Sequence, residues 1–256
     1  MTVALPGLEI LGRPLDGARP DGVYLGPGGF SGWDDGVEMR RETVQRVAAA
    51  GDFDATGYPD ARIVSLSGVI ASPSEERTQY WMDRLTGVLN DGSMGRITVG
   101  RADVTRFATA GLVRTTAEAR KHAPSRADWQ MQLWCPNPRK YGHLNQEVSA
   151  NDGSFITTHS GNARALTRFV VDGTGDRWRI TGPGGRSILV TQPLRSGSPH
   201  EYDMLTGQLR VGGVLTYGGI ETADTWSIPQ ARTLNHTLSV QGGSATATAY
   251  TFDTYL

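Results

Sequence analysis

The sequence contains a single cysteine, Cys135, and no long apolar run. One cysteine excludes an internal disulfide framework and suits a reducing compartment. The longest apolar stretch, residues 63–70, is broken by two serines and a glycine and falls far short of the ~18–20 residues that cross a bilayer. The first seven residues lack the positive and apolar regions of a secretory signal. We therefore expect a protein without membrane insertion, made and kept in a cytosol.

An excess of charge of one sign is also missing. The formal net charge is -1, with 17 basic and 18 acidic residues up to Ala150 and eight of each after it. Neither half is therefore a polycation built to follow nucleic-acid phosphates. With 38% hydrophobic and 20% charged residues, a disordered tail and a coiled coil are excluded. The 256 residues are enough for two medium-sized domains.

The sequence offers no pattern that points to catalysis or to a cofactor. Glycine-rich stretches at 26–29, 173–175 and 182–185 are not followed by a helix, so they are interpreted as turns and not as phosphate loops. Cys135 lies in an apolar alternating strand, where an inert buried thiol is expected. The five histidines lack metal-ligand spacing: His122, His143, His159, His200 and His236. We expect no enzyme, no metal and no cofactor.

One helix is predicted, over residues 73–89. Ser72 is a candidate N-cap, with Pro73 at the first helical position and Glu75 completing a capping box. An Asn-Asp-Gly sequence at 90–92 provides the stop signal. Four apolar residues fall on one face at helical spacing, as expected of an amphipathic helix: Trp81, Leu85, Val88 and Leu89.

Most of the remaining sequence is typical of β-strands. Apolar and polar residues alternate at 129–135 and 235–240, and further strands are expected at 61–71, 95–101, 177–181, 186–191 and 244–252. Asp-Gly pairs at 91–92, 152–153 and 172–173 suggest turns. Pro136 and Pro138 end a strand and the first module. We expect a domain at 1–150 and a second domain at 151–256, the latter an all-β sandwich or jelly roll.

The order of these elements resembles that of a known family, the distal tail proteins of siphovirus-type bacteriophages, which have long non-contractile tails. The resemblance is carried by the strand leading into the helix at 62–72, the helix at 75–89, the Trp-to-Tyr stretch at 129–141, the Ser-Gly-Asn sequence at 160–162 before a strand, and the closing hairpin at 233–252. It implies a mainly β protein. The first domain would be a tail-tube-like β-barrel or sandwich with one main helix, and the second a galectin-like β-sandwich.

The resemblance also implies a structural role in the virion. Six copies would form a ring at the tail tip that joins the tail tube to the baseplate hub and leaves a channel for DNA. The implied partners are the same chain in a homohexamer, the tail tube protein, the tape measure protein, the hub or tail-associated protein, and receptor-binding or fibre proteins. Assembly would take place in the cytoplasm of the host bacterium. No catalytic residue or cofactor is implied.

Two arginine-bearing segments are candidates for the contacts between subunits. A ring closes through head-to-tail contacts, and arginine suits such interfaces because its planar guanidinium is weakly hydrated. The first segment is 38–47 and the second is the predicted loop 115–128 with its flank. Their candidate interface residues are Arg40, Arg41, Arg46, Arg114, Arg120, Lys121 and Arg126. Ordinary solvated charge is the alternative at each of these positions.

The sequence is also compatible with two other functions. One is a different tail-tube or baseplate subunit with the same first domain. The other is a carbohydrate-binding β-sandwich adhesin for the host cell wall, with aromatic rings as a stacking platform, although packing of these rings in the core is favoured. The aromatic residues concerned are Trp178, Trp226, Tyr202, Tyr217, Tyr250 and Tyr255.

Overall fold

The computed structural model describes residues 1–12 and 20–256 of the chain. These residues form two compact units, Met1–Lys140 together with Leu256, and Tyr141–Tyr255. The predicted mainly β fold is confirmed, since strands dominate both units and the described residues contain one α-helix.

The first unit is a closed barrel of seven strands. In order around the barrel, each strand hydrogen-bonds to the next, and the last returns to the first. The barrel strands are β1 (Thr2–Leu5), β2 (Leu8–Leu11), β3 (Gly22–Ser31), β6 (Arg62–Ala71), β9 (Ala123–Cys135), β8 (Val104–Arg120) and β7 (Met94–Arg101), while β4 (Met39–Arg40) and β5 (Tyr58–Pro59) form a separate two-stranded ladder. Closure leaves the barrel without an unpaired strand edge.

The barrel interior follows from the alternation of side chains along its strands, which is strictest in β9. In β9 the side chains of Trp129, Met131, Leu133 and Cys135 are buried, and the residues between them are exposed, as predicted from the sequence. The same period of two points one face of every strand toward a common core, because successive side chains of a strand lie on opposite sides.

The glycine-rich stretch at 26–29 does not form a free turn. It lies inside β3, where the register with β6 shifts between Leu25 and Phe30, so the extra residues form a bulge. Gly68 faces this bulge, and a β-carbon there would collide with the carbonyl of Tyr24. The glycines are needed because the two backbones approach each other closely.

The predicted helix is present as α1 (Glu75–Gly87), two residues shorter at each end than expected. Its N-cap is Ser74, whose hydroxyl accepts a hydrogen bond from the Arg77 amide at 3.2 Å, and the predicted Ser72–Glu75 capping box does not form. The Ser72 hydroxyl instead contacts the Thr78 hydroxyl at 2.7 Å. A serine stands on each side of Pro73. The hydrogen bonds of the folded protein determine which of the two caps the helix.

The helix adds its apolar face to the barrel core. It packs against β6, β8 and β9, and Leu85 belongs to the same buried cluster as the barrel interior, together with Val88 and Leu89, which directly follow the end of the helix. Trp81 is only half-buried, because its indole nitrogen donates to the Asp21 carboxylate at the surface at 2.7 Å.

Replacing Leu85 with alanine is expected to lower the free energy of unfolding by about 2–3 kcal/mol. The loss should fall in the lower part of the range for buried leucines, because half-buried Trp81 and Met82 can move into the space. Chemical denaturation measures the loss. The exposed Gln79 on the same helix is the matched control, and alanine there should change stability by no more than about 0.5 kcal/mol. Equal losses for both variants would contradict burial of the helix face.

The second unit is a sandwich of two sheets. One sheet has the order β17–β16–β15–β12–β20–β10, and the other has the order β11–β19–β13–β14–β18. The strands of the first sheet are β10 (Lys140–Val148), β12 (Thr167–Thr174), β15 (His200–Asp203), β16 (Gln208–Val211), β17 (Val214–Thr216) and β20 (Ser244–Tyr255). Those of the second are β11 (Ser154–Thr158), β13 (Arg177–Thr181), β14 (Ser187–Val190), β18 (Ile220–Ala223) and β19 (Thr233–Gln241).

The sandwich core lies between the two sheets and combines apolar residues with buried histidines. Phe169, Trp178 and Ile180 are among its most buried side chains. The Asp-Gly pair at 172–173 was expected to turn but continues β12, which pairs along its whole length with β20. The stretch at 182–185 contains a short 3-10 turn, Pro183–Gly185, between β13 and β14.

Candidate functional site

A long extension interrupts the barrel between β3 and β6. We call residues 38–60 the arm. Its outgoing and returning segments pair at the β4–β5 ladder and again at the bridge between Gln45 and Asp52. Next to this bridge the Phe53 amide donates to the Val44 carbonyl at 2.9 Å. All residues of the arm are exposed or half-exposed, and none belongs to the barrel core. Backbone pairing, and not burial of side chains, therefore holds the arm together.

The arm carries both of the residue types typical of a contact surface. Arg40, Arg41 and Arg46, predicted from the sequence as interface residues, are exposed. The Arg46 guanidinium lies 5.5 Å from the centre of the Phe53 ring, within range of a cation–π contact. Five large apolar side chains of the arm are also exposed: Met39, Val44, Val47, Phe53 and Tyr58.

A buried arginine fixes the segment from which the arm starts. The Arg62 side chain, 3% exposed, donates through Nη1 to the carbonyls of Gly32, Trp33 and Asp35 at 2.7–3.0 Å. Its Nε donates to the carbonyl of Pro138 at 3.1 Å. Burial lowers the pKa of Arg62 from its ordinary value. Sequence reasoning missed this residue, because an arginine at the start of a strand is usually interpreted as solvated.

A second buried cation supports the same segment. The Lys140 ammonium group donates to the Trp33 carbonyl at 2.6 Å and lies 5.8 Å from the centre of the Trp33 ring. Burial, with a smaller contribution from the nearby Arg62 charge, lowers the pKa of Lys140 to about 8. The start of the arm is thus held by two cations that are hydrogen-bonded to backbone carbonyls.

A cavity of about 460 Å³ opens beside the start of the arm. We call it the base groove. Its walls include three carboxylates and two exposed apolar side chains, those of Asp35, Glu38, Asp60, Ile63 and Trp134. Ile63 and Trp134 are cross-strand partners on β6 and β9, and both point outward from the barrel. The Arg62 guanidinium, hydrogen-bonded to the Gly32 and Asp35 carbonyls, also lines the groove. With three carboxylates and one cation, the groove presents net negative charge next to apolar surface.

The predicted loop at 115–128 is instead a β-hairpin, formed by the ends of β8 and β9. The pairing of the two strands continues to Arg120 and Ala123, so the segment was wrongly expected to be irregular. Inward and outward positions still alternate along the hairpin, but the inward positions carry small or polar residues such as Thr115, Ala117 and Ala127, so the apolar pattern that predicts a strand is weak. The four basic candidates all lie in this hairpin: Arg114 and Arg120 in β8, Lys121 in the turn, and Arg126 in β9.

One of these basic residues already has a partner in its own chain. Arg120 forms a two-point ion pair with Asp128, with distances of 2.6 and 2.9 Å. The hydrogen bond from Arg120 lowers the pKa of Asp128, and the carboxylate raises that of Arg120. Arg114 borders a smaller polar cavity of about 230 Å³ on the barrel surface. The interface role of all seven residues stays a prediction.

The aromatic residues of the sandwich are mainly core residues. Trp178, Tyr202 and Trp226 are at most 4% exposed, which confirms core packing and not a stacking platform for them. The Trp178 indole donates to Nδ1 of His200 at 3.0 Å, and the Trp226 ring stacks on His236 with an interplanar angle of 25°. At the surface, Tyr217 is fully exposed, while Tyr250 and Tyr255 are half-buried.

The described part of the chain shows no group of three or more His, Cys, Asp or Glu side chains placed to hold a metal ion. Within the same residues, no helix combines the length and the apolar character needed to span a bilayer. The arm, the base groove and the β8–β9 hairpin are candidate recognition features, and all three belong to the first unit.

Cys135 is expected to be unreactive in the folded protein. It is fully buried, and burial raises the pKa of its thiol to about 11, so the reactive thiolate is scarce at pH 8. A chromogenic disulfide reagent should therefore label less than one tenth of the protein in an hour at pH 8. In denaturant, one thiol per chain should react within minutes. Rapid labelling of the native protein would contradict this burial.

This combination of a one-helix β-barrel and a β-sandwich is shared with hub and baseplate proteins of bacteriophage tails. One solved example is the Dit protein (gp 19.1) of phage SPP1, described as a paradigm of the hub adsorption apparatus in phages that infect Gram-positive bacteria. It matches with a TM-score of 0.68 and 11% identity, over 89% of this chain and 92% of that chain. A chain of the phage P2 baseplate in its activated conformation matches with a TM-score of 0.50 and 7% identity, over 84% and 87% of the two chains. No protein-family profile and no curated protein sequence matches the chain.

Proposed function

We propose that this protein is a structural subunit of a bacteriophage tail tip, a distal tail protein without catalytic activity. The observation that carries the proposal is the similarity to the SPP1 Dit protein over 89% of this chain and 92% of that one, which leaves no large part of either fold unmatched. Identity of 11% makes this a similarity of fold, and the role is our inference from it.

In this proposal six copies form a ring, and residues 1–150 are the ring-forming domain. The ring joins the tail tube protein above to the baseplate hub and the receptor-binding or fibre proteins below. It leaves a channel for DNA, and the tape measure protein is a further partner. The galectin-like domain is residues 151–256. Assembly takes place in the cytoplasm of the host bacterium, and the mature location is the virion tail.

Two features of the first unit support assembly through this part of the chain. The arm exposes five large apolar side chains, a cost in water that a partner would remove. The arm and the hairpin also place seven basic residues outside the core, and arginine is common at interfaces. A formal net charge of -1 limits repulsion between six identical copies.

Negative-stain electron microscopy and light scattering of the full chain test this proposal. We expect rings with a central hole and a mass six times the 27.6 kDa of one chain. Changing Arg40, Arg41 and Arg46 together to glutamate should reduce the ring fraction at least tenfold. The matched control changes three exposed arginines of the sandwich, Arg177, Arg179 and Arg195, to glutamate and should leave the rings intact. A monodisperse monomer at all concentrations would contradict ring formation by this chain.

A further inference from the structure

The tip of the arm has a composition of its own. Residues 43–51 read Thr-Val-Gln-Arg-Val-Ala-Ala-Ala-Gly, and Arg46 carries the only charge among them. Val47 is fully exposed and Val44 is 60% exposed. The tip therefore combines one positive charge with exposed apolar side chains, which the described residues of its own unit leave open to solvent.

The base groove has the opposite character. It offers the carboxylates of Asp35, Glu38 and Asp60 beside Ile63 and Trp134. One Asp35 oxygen is engaged by the Gly32 amide and one Asp60 oxygen by the Ala61 amide, which orients both carboxylates and leaves each a second oxygen. Charge and apolar surface in the groove thus match the positive charge and apolar surface of the tip.

The apolar wall of the groove continues across the barrel. Met94, Gly111, Trp134 and Ile63 are successive cross-strand partners on β7, β8, β9 and β6. The three side chains of this row are each more than 40% exposed. Because Gly111 has no side chain, the row forms a shallow apolar track that leads away from the groove.

We propose that the arm tip of one copy docks into the base groove of a second copy. Arg46 would lie among the groove carboxylates, and Val44 and Val47 would cover Ile63 and Trp134. This names the contact within the ring proposed above and rests on that proposal. The occupant is a second copy because residues 43–51 do not line the groove of their own chain, although they carry the complementary chemistry.

Such a contact is head-to-tail, since tip and groove are different surfaces of one chain. Every copy then has one tip and one groove to offer. Copies therefore continue to add to one another until the first and the last join and close a ring. The six residue-to-residue steps from Met39 to Gln45 give the paired arm a reach of up to about 20 Å beyond its base. Arg62 and Lys140 hold the groove in place before docking. The groove therefore loses little conformational entropy when the tip binds.

Site-directed cross-linking of the full chain tests the contact. A tagged Val47→Cys variant is mixed with an untagged Ile63→Cys variant and treated with a short bis-maleimide, and the joined peptides are identified by mass spectrometry. We expect at least ten times more tip–groove product than in a mixture with Val104→Cys, which places a cysteine at a site of the same barrel that is more exposed than Ile63. The native Cys135 is buried and should not contribute.

A charge exchange adds a second, independent readout. Arg46→Glu should reduce the Val47–Ile63 product at least tenfold, and Glu38→Arg in the groove partner should restore most of it. Glu221→Arg, an exposed change in the sandwich, should restore none. Product no greater than in the Val104→Cys mixture, or restoration by Glu221→Arg as strong as by Glu38→Arg, would overturn the docking proposal.

The two proposals fail in different ways. Rings seen by electron microscopy without the Val47–Ile63 product would leave the ring standing and overturn the docking of the tip. A specific product in a protein that forms open chains and no rings would support the docking and overturn the closed hexamer.

Discussion

Replacing Arg62 with methionine is expected to lower the free energy of unfolding of the barrel by about 3–5 kcal/mol. The methionine would fill much of the same space but would remove the guanidinium donor from the carbonyls of Gly32, Asp35 and Pro138, whereas the Trp33 carbonyl would keep its hydrogen bond from Lys140. Chemical denaturation followed by tryptophan fluorescence measures the loss, because Trp33 and Trp129 report on the barrel core.

Arg126 provides the control for this substitution. It is an exposed arginine on β9, and Arg126→Met should change stability by about 0.5 kcal/mol or less. Arg62→Lys is informative as well, since a single ammonium group cannot reach all four carbonyls and should recover only part of the loss. Equal effects of Arg62→Met and Arg126→Met would show that the buried network contributes nothing.

Acidification is expected to destabilise the sandwich through its buried histidines. Burial lowers the pKa of His236 to about 4 from an ordinary value of 6.5, and burial also lowers the pKa values of His159 and His200. Between pH 6.5 and 4 the unfolded chain therefore binds more protons than the folded one. Stability is retained above this window and falls as the pH drops through it, with a loss from His236 alone of about 3 kcal/mol.

Urea denaturation at pH 7 and pH 4, with hydrogen exchange to follow β19 separately, measures this effect. His236→Gln removes the titrating group while keeping a polar partner for the Thr157 hydroxyl, which lies 2.8 Å from Nε2 of His236. The pH-dependent loss should shrink by about 3 kcal/mol in this variant. His122→Gln, in an exposed turn of the barrel unit, should leave the loss unchanged. If both variants respond to pH alike, His236 is not the source.

Local periodicity is sufficient to predict much of this fold. The alternation at 129–135 predicts both β9 and its inward face, and the spacing of Leu85, Val88 and Leu89 predicts the helix and the side that it buries. Both signals arise because a residue's neighbours along the chain determine which way its side chain points. They identify elements wherever one face is buried and the other is solvated.

Features that depend on distant parts of the chain could not be predicted in this way. The inward positions of the hairpin at 115–128 carry small residues such as Ala117 and Ala127, which give little apolar alternation, and the Asp-Gly pair at 172–173 is held extended by β20 across the sheet. The Arg62 network joins residues 27 to 76 positions away in sequence. Charge along the sequence indicates seven arginine and lysine positions as a candidate interface. The acidic residues of the base groove could not be grouped in this way, because they converge only in the folded chain.

The network around Arg62 has a mechanical consequence. A pull on the arm passes along the backbone at residues 32–35 into three hydrogen bonds that share one guanidinium group and are loaded in parallel. Bonds loaded in parallel divide a force between them, whereas bonds opened one after another each carry all of it. The arm should therefore bend near Gly36, where no described atom lies within 4 Å of the position of a β-carbon, before its root tears from the barrel, so that traction on the protein is absorbed by a hinge outside the folded core.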